Sequence, residues 1–226
     1  MEITTIITAA GKNTRMQKDL KEKNLKSTHK LLLKIKNKPI IIHTIEAVLK
    51  SKSNKCILAL GYQHQEIIKT IEEYDLINKL EIRINPYDNL KLTETINNTL
   101  KTNPNEYYLF TAGDQPTITT NTINKLIKVL ENSKNPKTTV SILARLKTGK
   151  LKTAKGLGMP LACYGNLLYK YTKNYKGNLN PLLLEMINNN INFYGIKSEN
   201  ELELININHY NEYLYVKKEK EEINKL

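Results

Sequence analysis

Hydrophobic residues along this chain follow two patterns, short β-branched or aromatic runs and longer amphipathic stretches. The short runs predict strands near residues 3–8, 55–60, 80–84, 107–111, 138–144 and 191–196. The amphipathic stretches predict helices near residues 39–51, 65–74, 93–102, 119–133, 166–171, 181–189 and 210–220. Because the two kinds of element alternate, the sequence predicts an α/β fold with a parallel sheet and helices on both faces.

Two stretches depart from this alternation. Residues 147–158 are rich in glycine and lysine, and this composition predicts a mobile loop over the functional edge of the sheet. Residues 216–226 alternate in charge, which predicts that the terminal helix over 210–226 frays. A chain of 226 residues is long enough to bury one sizeable core. We therefore expect a single domain over residues 1–226.

The first candidate site follows the first predicted strand. Residues 3–8 have the pattern of a strand covered on both faces, and they run directly into Ala9-Ala10-Gly11. These small residues let backbone N–H groups approach an anion, while Lys12 and Arg15 add positive charge. The segment predicts a cradle for phosphate, although it lacks the glycines of the dinucleotide fingerprint and the Gly-Lys-Ser/Thr ending of a P-loop. An ordinary strand-to-helix turn is the alternative.

A second candidate site follows the fourth predicted strand. Residues 106–112 read as a buried strand that ends in Gly113-Asp114-Gln115-Pro116. Ligands of open α/β sheets bind beyond the carboxyl ends of the strands, so Asp114 would offer an oxygen ligand to a metal-bound triphosphate. A plain turn is the alternative, because Asp, Gly and Pro are common turn residues. The presence of both segments in one chain favours a nucleotide site.

Further segments along the chain complete a wider pattern. The pattern consists of Ala9–Met16, Lys30–Leu33, Lys38–Glu46, Leu58–Tyr62, Asn85-Pro86, Thr93–Ile96, Gly113–Pro116 and Ile205–Asn208. Through these segments the chain resembles the MobA/MocA-like nucleotidyltransferases, the family of molybdenum cofactor cytidylyltransferases and guanylyltransferases. The resemblance implies a single three-layer α/β/α domain, GT-A-like and Rossmann-like, with a mostly parallel sheet. It also implies transfer of CMP from CTP to the phosphate of a small acceptor, molybdopterin, with release of pyrophosphate.

The resemblance also implies roles for individual residues. The nucleotide-binding residues would be Ala9, Ala10, Gly11, Lys12, Asn13, Thr14, Arg15, Lys30, Gly61, Asn85, Thr95 and Asp114. The catalytic residues would be Arg15 and Lys30, which pair with phosphate oxygens, and Asp114, which holds Mg²⁺. Asn208, or less favourably Asn206, would be a second metal ligand. Such a transfer needs charge neutralisation and geometry rather than a strong base, because a phosphate monoester is already ionised.

The chain departs from the family's pattern in ways that leave other functions open. Between Met16 and Lys30 lie 13 residues, a longer segment than is usual in the family. Lys91-Leu92 replaces a glycine-methionine pair, and Glu94 replaces a small residue. A sugar- or polyol-phosphate acceptor is an alternative to molybdopterin. A non-catalytic relative that binds nucleotide is an alternative to an enzyme.

Two positions bear on the choice of nucleotide. In the family, Thr-Ala-Ala-Gly and Asp-Gln-Pro tend to accompany cytidylyl transfer, and this chain has Thr8–Gly11 and Asp114–Pro116. Ala10 in place of glycine narrows the space beside the base, which favours a single-ring pyrimidine. For Gln115 the family correlation is the only argument. We therefore expect CTP rather than GTP as the nucleotide.

The basic composition raises a different class of function. A net charge of +13 and a pI near 9.5 would suit a nucleic-acid binder. Only three of the 35 basic residues are arginines, however, and arginine is the residue that base readout and bidentate phosphate recognition favour. We expect no nucleic-acid partner. Ten basic and two acidic residues between Lys12 and Lys38 concentrate positive charge beside the predicted phosphate cradle, where it would attract anionic substrates.

Cysteine, histidine and hydropathy patterns narrow the remaining classes. Cys56 and Cys163 lack nearby Cys or His partners, which argues against zinc and for buried thiols in a reducing compartment. No apolar run is long enough for a membrane helix or a signal peptide, so we expect a cytoplasmic protein without a membrane partner. A molybdoenzyme or its chaperone is the protein partner that the resemblance implies.

Overall fold

The computed structural model describes residues 1–87 and 90–222. The strands are β1 (Ile3–Ala9), β2 (Lys34–Ile35), β3 (Lys38–Pro39), β4 (Lys55–Leu60), β5 (Glu81–Ile84), β6 (Tyr107–Ala112), β7 (Thr139–Ala144), β8 (Gly149–Leu151), β9 (Leu157–Tyr164) and β10 (Asn192–Ile196). The α-helices are α1 (Thr14–Glu22), α2 (Ile40–Leu49), α3 (His64–Glu73), α4 (Leu92–Leu100), α5 (Thr120–Glu131), α6 (Gly165–Thr172), α7 (Leu179–Asn188) and α8 (Tyr210–Glu222). Short 3-10 helices lie at Lys30–Leu32, Ile77–Lys79, Pro136–Thr138 and Glu201–Leu204. Every predicted strand and helix is present within a few residues of its expected bounds.

Eight strands form one twisted sheet in the order β5-β4-β1-β6-β9-β7-β10-β8, and β2 pairs with β3 separately. The pairs β5–β4, β4–β1, β1–β6 and β7–β10 are parallel. Strand β9 runs antiparallel between β6 and β7, and β8 runs antiparallel to β10. The predicted α/β fold with a mostly parallel sheet is confirmed. Because β9 reverses direction, β7 runs parallel to β6, and the carboxyl ends of β1, β6 and β7 lie at one edge of the sheet.

Apolar side chains build a core on each face of the sheet. Along β1, Ile7 packs in one core and Ile6 in the other, as the alternation of side chains along a strand requires. The first core includes residues of α1, α2, α3, α5 and α8, and the second includes residues of α4, α6 and α7. Cys56 and Cys163 lie one in each core as free, buried thiols. This is the three-layer α/β/α arrangement.

The pairing of β1 with β6 places the two candidate segments side by side. Thr8 stands opposite Ala112, and the Gly113 N–H donates to the Thr8 carbonyl oxygen at 2.9 Å. A Cβ added at Gly113 would lie 2.8 Å from Cδ1 of Ile41, so the chain passes close to helix α2 at this point. The loop after β1 and the Asp114 turn after β6 therefore leave the same edge of the sheet as neighbours.

The structure corrects the predicted loop over residues 147–158. Strand β8 lies within it and pairs with β10 at the edge of the sheet, and β9 begins at Leu157. Leu151 and Leu157 are buried in the second core, so two apolar anchors stand among the glycines and lysines. Strand β9 was absent from the sequence prediction because Gly158 and Pro160 are typical of turns.

Helix α1 is a second element that the sequence prediction lacks. It covers Thr14–Glu22, directly after the loop that follows β1, and seven residues then lead to Lys30. Its buried residues are Met16 and Leu20, which lie one turn apart and pack in the first core. That i, i+4 apolar pair was the available signal, and the surrounding lysines obscured it.

Helix α8 runs from Tyr210 to Glu222 in the described residues, and fraying of this helix stays a prediction. Val216 is fully buried, and Lys220 Nζ donates to the Pro116 carbonyl oxygen at 2.7 Å. Burial lowers the pKa of Lys220 to about 8, and the nearby Lys36 and Lys38 add to this effect. The helix thus docks beside the edge of the sheet that carries the candidate site. Residues 223–226, the rest of the predicted frayed segment, lie outside the described residues.

Candidate active site

A cavity of about 840 Å³ opens beyond the carboxyl ends of β1 and β6. The predicted site residues that line it are Ala10, Gly11, Lys12, Asn13, Thr14, Arg15, Lys30, Thr95, Asp114 and Asn208. Its volume is in the range of sites for small organic ligands. The fold therefore gathers residues from distant parts of the sequence around one cavity.

The loop that joins β1 to α1 forms one wall of this cavity. Asn13 adopts the left-handed backbone conformation (φ 60°, ψ 22°), and its Nδ2 donates to the Thr28 carbonyl oxygen at 3.3 Å. A Cβ added at Gly11 would meet no atom within 4 Å, so packing within the protein does not require glycine there. Gly11 instead leaves open space beside the cavity that it lines, which suits the approach of an anion to the backbone.

Ala9 and Gly61 support this loop from outside the cavity. A Cβ added at Gly61 would lie 2.7 Å from the carbonyl oxygen of Ala10 and 3.0 Å from its Cβ. The end of β4 therefore needs a glycine for Ala10 to keep its position. Ala9 is buried and faces Gly113 in the first core. The structure thus places both predicted nucleotide-binding residues behind the loop rather than in its wall.

Asn85 also lies outside the cavity and contacts one of its lining residues. Its Nδ2 donates to Oγ1 of Thr95 at 2.8 Å, and Thr95 is a buried residue in the cavity wall. Nearby, the Glu94 carboxylate accepts a hydrogen bond from the Lys91 N–H at 2.9 Å. Glu94 therefore caps the N-terminus of α4, and its departure from the family pattern has a structural role.

Asp114 is the centre of the polar network in the cavity. Its Oδ2 accepts from Lys30 Nζ at 2.5 Å, and its Oδ1 accepts from Nδ2 of Asn206 at 2.8 Å. Lys30 Nζ also donates to Oδ1 of Asn208 at 3.1 Å. The side chains of Lys30 and Asp114 are only 13% and 15% exposed, so water screens this ion pair weakly. Lys30 therefore reaches Asp114 despite the 13 residues that separate it from Met16.

The segment Ile205–Asn208 presents two amide oxygens to two arginines. Nη2 of Arg15 donates to Oδ1 of Asn208 at 2.8 Å. Nη2 of Arg145 donates to Oδ1 of Asn206 at 3.3 Å. The Ile207 N–H, between them, donates to the carbonyl oxygen of Asp114 at 2.9 Å. The segment therefore connects the turn after β6 to arginines on two sides.

Helices α1 and α8 hold this segment in place. The Glu212 carboxylate accepts from the N–H groups of Asn208 and His209 at 2.6 and 2.9 Å. The Asp19 carboxylate of α1 accepts from the Tyr210 N–H at 2.8 Å, and this hydrogen bond, helped by His209, lowers the pKa of Asp19. Helix α1 thus anchors the start of α8, which follows the two asparagines.

His29 lies beneath the loop and next to Lys30. It is only 2% exposed, and its Nδ1 accepts a hydrogen bond from the Leu31 N–H at 3.2 Å. Burial lowers the pKa of His29 to about 4, an effect that the backbone of Gly11 partly offsets and that Lys30 reinforces. The ring is therefore neutral at physiological pH, with its proton on Nε2. It acts as buried support for the backbone that carries Lys30.

Gln115 does not reach the cavity. It is fully buried, and its Nε2 donates to the carbonyl oxygens of Met159 and Glu203 at 3.2 and 3.3 Å. These bonds tie the turn after β6 to β9 and to the last 3-10 helix. Any influence of Gln115 on nucleotide choice therefore has to act through the position of its neighbours.

One side of the cavity was missing from the sequence-based site. Its lining residues include Leu90, Leu92, Arg145, Leu204, Ile205, Asn211, Glu212 and Tyr215. Arg145 directly follows β7. Ligands of α/β sheets bind beyond the carboxyl ends of the strands, so this position could have identified Arg145 as a site residue from the sequence. The residues of α8 gave no such signal, because only tertiary packing brings that helix to the cavity.

The conserved sequence pattern of the MobA-like NTP transferase domain matches residues 5–179, and the chain belongs to this family. A nucleotidyl transferase of known structure from Methanothermobacter thermautotroptrophicus is 32% identical, with a TM-score of 0.87 over 96% of this chain and 97% of its own. The protein is therefore a nucleotidyltransferase. Its family implies a nucleoside triphosphate and a phosphate-bearing acceptor as substrates.

More distant proteins share the fold. A 4-diphosphocytidyl-2C-methyl-D-erythritol synthase from Anaerococcus prevotii DSM 20548 is 16% identical, with a TM-score of 0.69 over 97% of this chain and 96% of its own. A Mycobacterium tuberculosis H37Rv protein solved in complex with manganese is 14% identical, with a TM-score of 0.66 over 96% of this chain and 99% of its own. The bifunctional protein GlmU of Staphylococcus haemolyticus (strain JCSC1435) is 26% identical over 149 residues, which are 66% of this chain and 30% of GlmU. The chain thus spans less than a third of the curated relatives that it matches.

Two further findings concern membrane-spanning helices and clusters of metal-binding side chains. Within residues 1–87 and 90–222, no helix is long and apolar enough to span a membrane. The same part of the chain holds no group of three or more His, Cys, Asp or Glu side chains that would suit a metal ion. The carboxylates that line the cavity are those of Asp114 and Glu212.

Proposed function

We propose that this nucleotidyltransferase transfers CMP from CTP to the phosphate of a small acceptor, with molybdopterin as the first acceptor to test and Mg²⁺ as its metal. The observation that carries the proposal is the Asp114–Lys30 pair beside the loop after β1, with Arg15 and Lys30 bonded to the same Asn208 oxygen. A triphosphate bound along residues 10–15 would bring its phosphates to these two cations. The catalytic roles of Arg15, Lys30 and Asp114 are part of this proposal.

In the proposed reaction, a lone pair on an oxygen of the acceptor phosphate forms a bond to the α-phosphorus of CTP. The bond from the α-phosphorus to the oxygen that bridges to the β-phosphate breaks, and its electron pair leaves with pyrophosphate. No proton transfer is needed, because a phosphate monoester with a second pKa of about 6 is already largely dianionic at neutral pH. Arg15 and Lys30 would neutralise the charge on the reacting phosphates and hold them in line.

The donors around Asp114 suit Mg²⁺. The Asp114 carboxylate and Oδ1 of Asn208, which both accept from Lys30, are the hard oxygen ligands that this ion prefers, and a triphosphate supplies further oxygens. Asn206 turns its Nδ2 toward Asp114, so its oxygen would join the ligands only after rotation of the amide. Bound there, the metal would offset negative charge on the phosphates. In the structure both oxygens of Asp114 already accept hydrogen bonds, from Lys30 and from Asn206. Each carboxylate oxygen keeps a further lone pair, so Asp114 can take a cation beside these two hydrogen bonds.

The packing of Ala10 supports CTP as the nucleotide. Ala10 lines the cavity, and Gly61 packs directly against it from the side of β4. Ala10 therefore has little room to retreat from a bound base, and its methyl group favours a single-ring pyrimidine over a purine. The fold relative from Anaerococcus prevotii is named for a diphosphocytidyl compound, which agrees with this choice.

Two classes of acceptor compete. The family resemblance favours molybdopterin, and a molybdoenzyme or its chaperone would then receive the product. The name of the fold relative contains erythritol, a polyol, which keeps a sugar or polyol phosphate as the alternative. Both classes present a phosphate monoester to the same α-phosphorus, so the chemistry above holds for either.

Turnover with defined acceptors tests this proposal. Purified protein with Mg²⁺ and either CTP or GTP is incubated with molybdopterin or with a panel of sugar and polyol phosphates, and pyrophosphate release and product mass are measured. We expect release with CTP and molybdopterin. Release of pyrophosphate with a sugar or polyol phosphate, but not with molybdopterin, would show that the acceptor belongs to the alternative class. Nucleotide binding by calorimetry without release in any mixture would instead indicate a non-catalytic relative.

A further inference from the structure

Two of the three arginines of the chain line the cavity, Arg15 and Arg145. The third, Arg83, lies away from it and donates to Glu81, Thr99 and Thr102. The other 32 basic residues are lysines, of which Lys12 and Lys30 line the cavity. A planar guanidinium can bind two oxygens of one phosphate, whereas a lysine ammonium acts as a point charge. The selective use of arginine at the cavity therefore indicates two places where oriented phosphate binding is needed.

The two arginines end a continuous row of polar contacts. Arg15 donates to Asn208, which also accepts from Lys30, and Lys30 donates to Asp114. On the other oxygen of Asp114, Asn206 donates a hydrogen bond and in turn accepts one from Arg145. Asp114 thus lies between one arginine that follows β1 and another that follows β7. Strands β6 and β9 separate β1 from β7 in the sheet, so the arginines approach from different sides.

In-line transfer at phosphorus requires this kind of two-sided arrangement. The incoming oxygen enters opposite the bond that breaks, so the nucleophile and the departing pyrophosphate lie on opposite sides of the α-phosphorus. Arg15 lies in the first turn of α1, at the end of the segment over residues 10–15 that we assign to the triphosphate. We propose that Arg145 binds the phosphate of the acceptor and holds one of its oxygens in line with the α-phosphorus. This inference rests on the proposed function, and it assigns the acceptor side of the same cavity.

The surroundings of Arg145 are those of a ligand-binding side chain. Arg145 is exposed at the cavity, and Asn206, at 3.3 Å, is its hydrogen-bond partner among the described residues. That single long contact uses one of the five N–H groups of a guanidinium. By contrast, Arg83 is tied to three partners. In the transfer step Arg145 would bind the non-attacking oxygens of the acceptor phosphate, while a lone pair on the remaining oxygen forms the new bond to phosphorus.

Inorganic phosphate is a probe for this subsite that does not depend on the identity of the acceptor. The protein is first saturated with Mg²⁺ and the α,β-methylene analogue of CTP, which occupies the nucleotide side and does not react. Phosphate is then titrated in, and its dissociation constant is measured by calorimetry. The variants are Arg145→Gln and Arg145→Lys. Lys147→Gln is the matched control, because it removes one positive charge from the same exposed turn at a residue that does not line the cavity.

We expect Arg145→Gln to weaken phosphate binding at least about tenfold, which corresponds to about 1.4 kcal/mol. Arg145→Lys should recover part of the loss, and Lys147→Gln should match the wild type. The affinity for the CTP analogue should stay within about twofold in all three variants, since Arg15 and Lys30 are unchanged. With any acceptor that turns over, Arg145→Gln should raise the acceptor KM and leave the CTP KM unchanged.

The outcomes separate this inference from the proposed function. Equal phosphate affinity in wild type and Arg145→Gln, or no phosphate binding to the wild-type complex, would overturn the role of Arg145 alone. An equal loss in Arg145→Gln and Lys147→Gln would show general electrostatic attraction and would also overturn it. Failure of the wild-type protein to bind the CTP analogue would instead contradict the proposed function.

Discussion

The two walls of the cavity are built in different ways. The first wall consists of Thr8, residues 10–15, Lys30, Ala112 and Asp114, and it depends chiefly on backbone segments that leave adjacent parallel strands. The second wall consists of Arg145 and residues 204–215, and it depends on side-chain hydrogen bonds between segments far apart in the chain. The first wall has a local sequence signature, whereas the second becomes visible only in the folded protein. The part of the cavity that we assign to the nucleotide can therefore be recognised from sequence more readily than the part assigned to the acceptor.

The carboxylate that the two walls share should give the largest effect. Asp114→Asn removes the negative charge that pairs with Lys30 and would hold the metal, with little change in volume, and we expect turnover to fall at least about 100-fold. Asp75→Asn, a matched change at a residue that does not line the cavity, should keep full activity. Thermal unfolding of both variants checks the fold. More than about a tenth of wild-type turnover in Asp114→Asn at saturating Mg²⁺ would show that this carboxylate is not central.

Two cations of the first wall should differ in importance. Arg15 is fixed to Asn208 and can bridge two phosphate oxygens, whereas Lys12 lines the cavity as a flexible point charge. We expect Arg15→Ala to weaken CTP binding by about 10- to 100-fold, the range for charge-assisted hydrogen bonds, and Lys12→Ala to weaken it less than about threefold. Calorimetric titration with CTP and Mg²⁺ measures both. Small and equal losses would remove the argument for a phosphate cradle in this wall.

The buried histidine beneath the first wall should make the protein sensitive to acid. The pKa of His29 is about 4 in the folded state and about 6.5 when unfolded, so the unfolded chain takes up a proton first. Above about pH 6.5 the ring is neutral in both states and the free energy of unfolding is not reduced. As the pH falls from about 6.5 toward about 4, protonation of the unfolded chain lowers the free energy of unfolding. Between pH 7 and pH 5 the wild type should lose about 2 kcal/mol more unfolding free energy than His29→Asn, which keeps an acceptor for the Leu31 N–H. Parallel urea titrations at the two pH values test this difference, and equal losses in the two proteins would contradict it.

Two glycines, Gly11 in the first wall and Gly61 behind it, should behave in opposite ways. A methyl group at Gly61 would press against the backbone of Ala10, so Gly61→Ala should cost about 1–3 kcal/mol of stability and weaken CTP binding about tenfold. A methyl group at Gly11 meets no protein atom, so Gly11→Ala should keep or slightly raise stability. Weaker CTP binding by a fully stable Gly11→Ala would place the ligand against this loop. Unchanged binding would argue against contact at Gly11.

The smallest expected effect concerns the choice between CTP and GTP. The wild type should prefer CTP by at least about tenfold in kcat/KM, or about 1.4 kcal/mol. Ala10→Gly, alone or combined with Thr8→Leu and Gln115→Met, should shift that ratio toward GTP. Gln115→Met alone should chiefly lower stability, by about 1–3 kcal/mol, because two buried carbonyl oxygens lose their donor. A wild type that uses both nucleotides equally would overturn the CTP assignment and leave transferase activity in place.

Local signals account for the parts of the structure that the sequence predicted. The β-branched run of β1 and the turn with Asp114 identify strands and their carboxyl ends without any knowledge of the rest of the chain. Strand β9 was missed because Gly158 and Pro160 are turn residues in most contexts, and only its neighbours β6 and β7 make it a strand. Gly61 was assigned to the nucleotide through the family resemblance, whereas its packing in the structure depends on the distance to Ala10.

The second wall could be predicted only in part for a related reason. Asn206 and Asn208 were recognised through the family resemblance, which supplied a position but not their partners. Their connections to Arg145 and Arg15 span 61 and 193 residues and follow from the order of strands in the sheet. Tyr215 and Glu212 join the cavity because α8 packs in the first core through Tyr213 and Val216. Helical periodicity predicts that face of α8 but not the surface against which it docks.

The hydrogen bond between Arg15 and Asn208 joins residues that are made far apart in time during synthesis. Residues 10–15, Lys30 and Asp114 all leave the ribosome before Asn206 and Asn208, because the chain is made from its N-terminus. Until the later residues fold back across a separation of 193 positions, Arg15 and Asp114 lack their amide partners. A chain cut after α7 would lack β10 from the sheet, α8 from the first core and residues 204–215 from the second wall. The segment that we assign to the triphosphate therefore depends for its surroundings on residues that are made well after it.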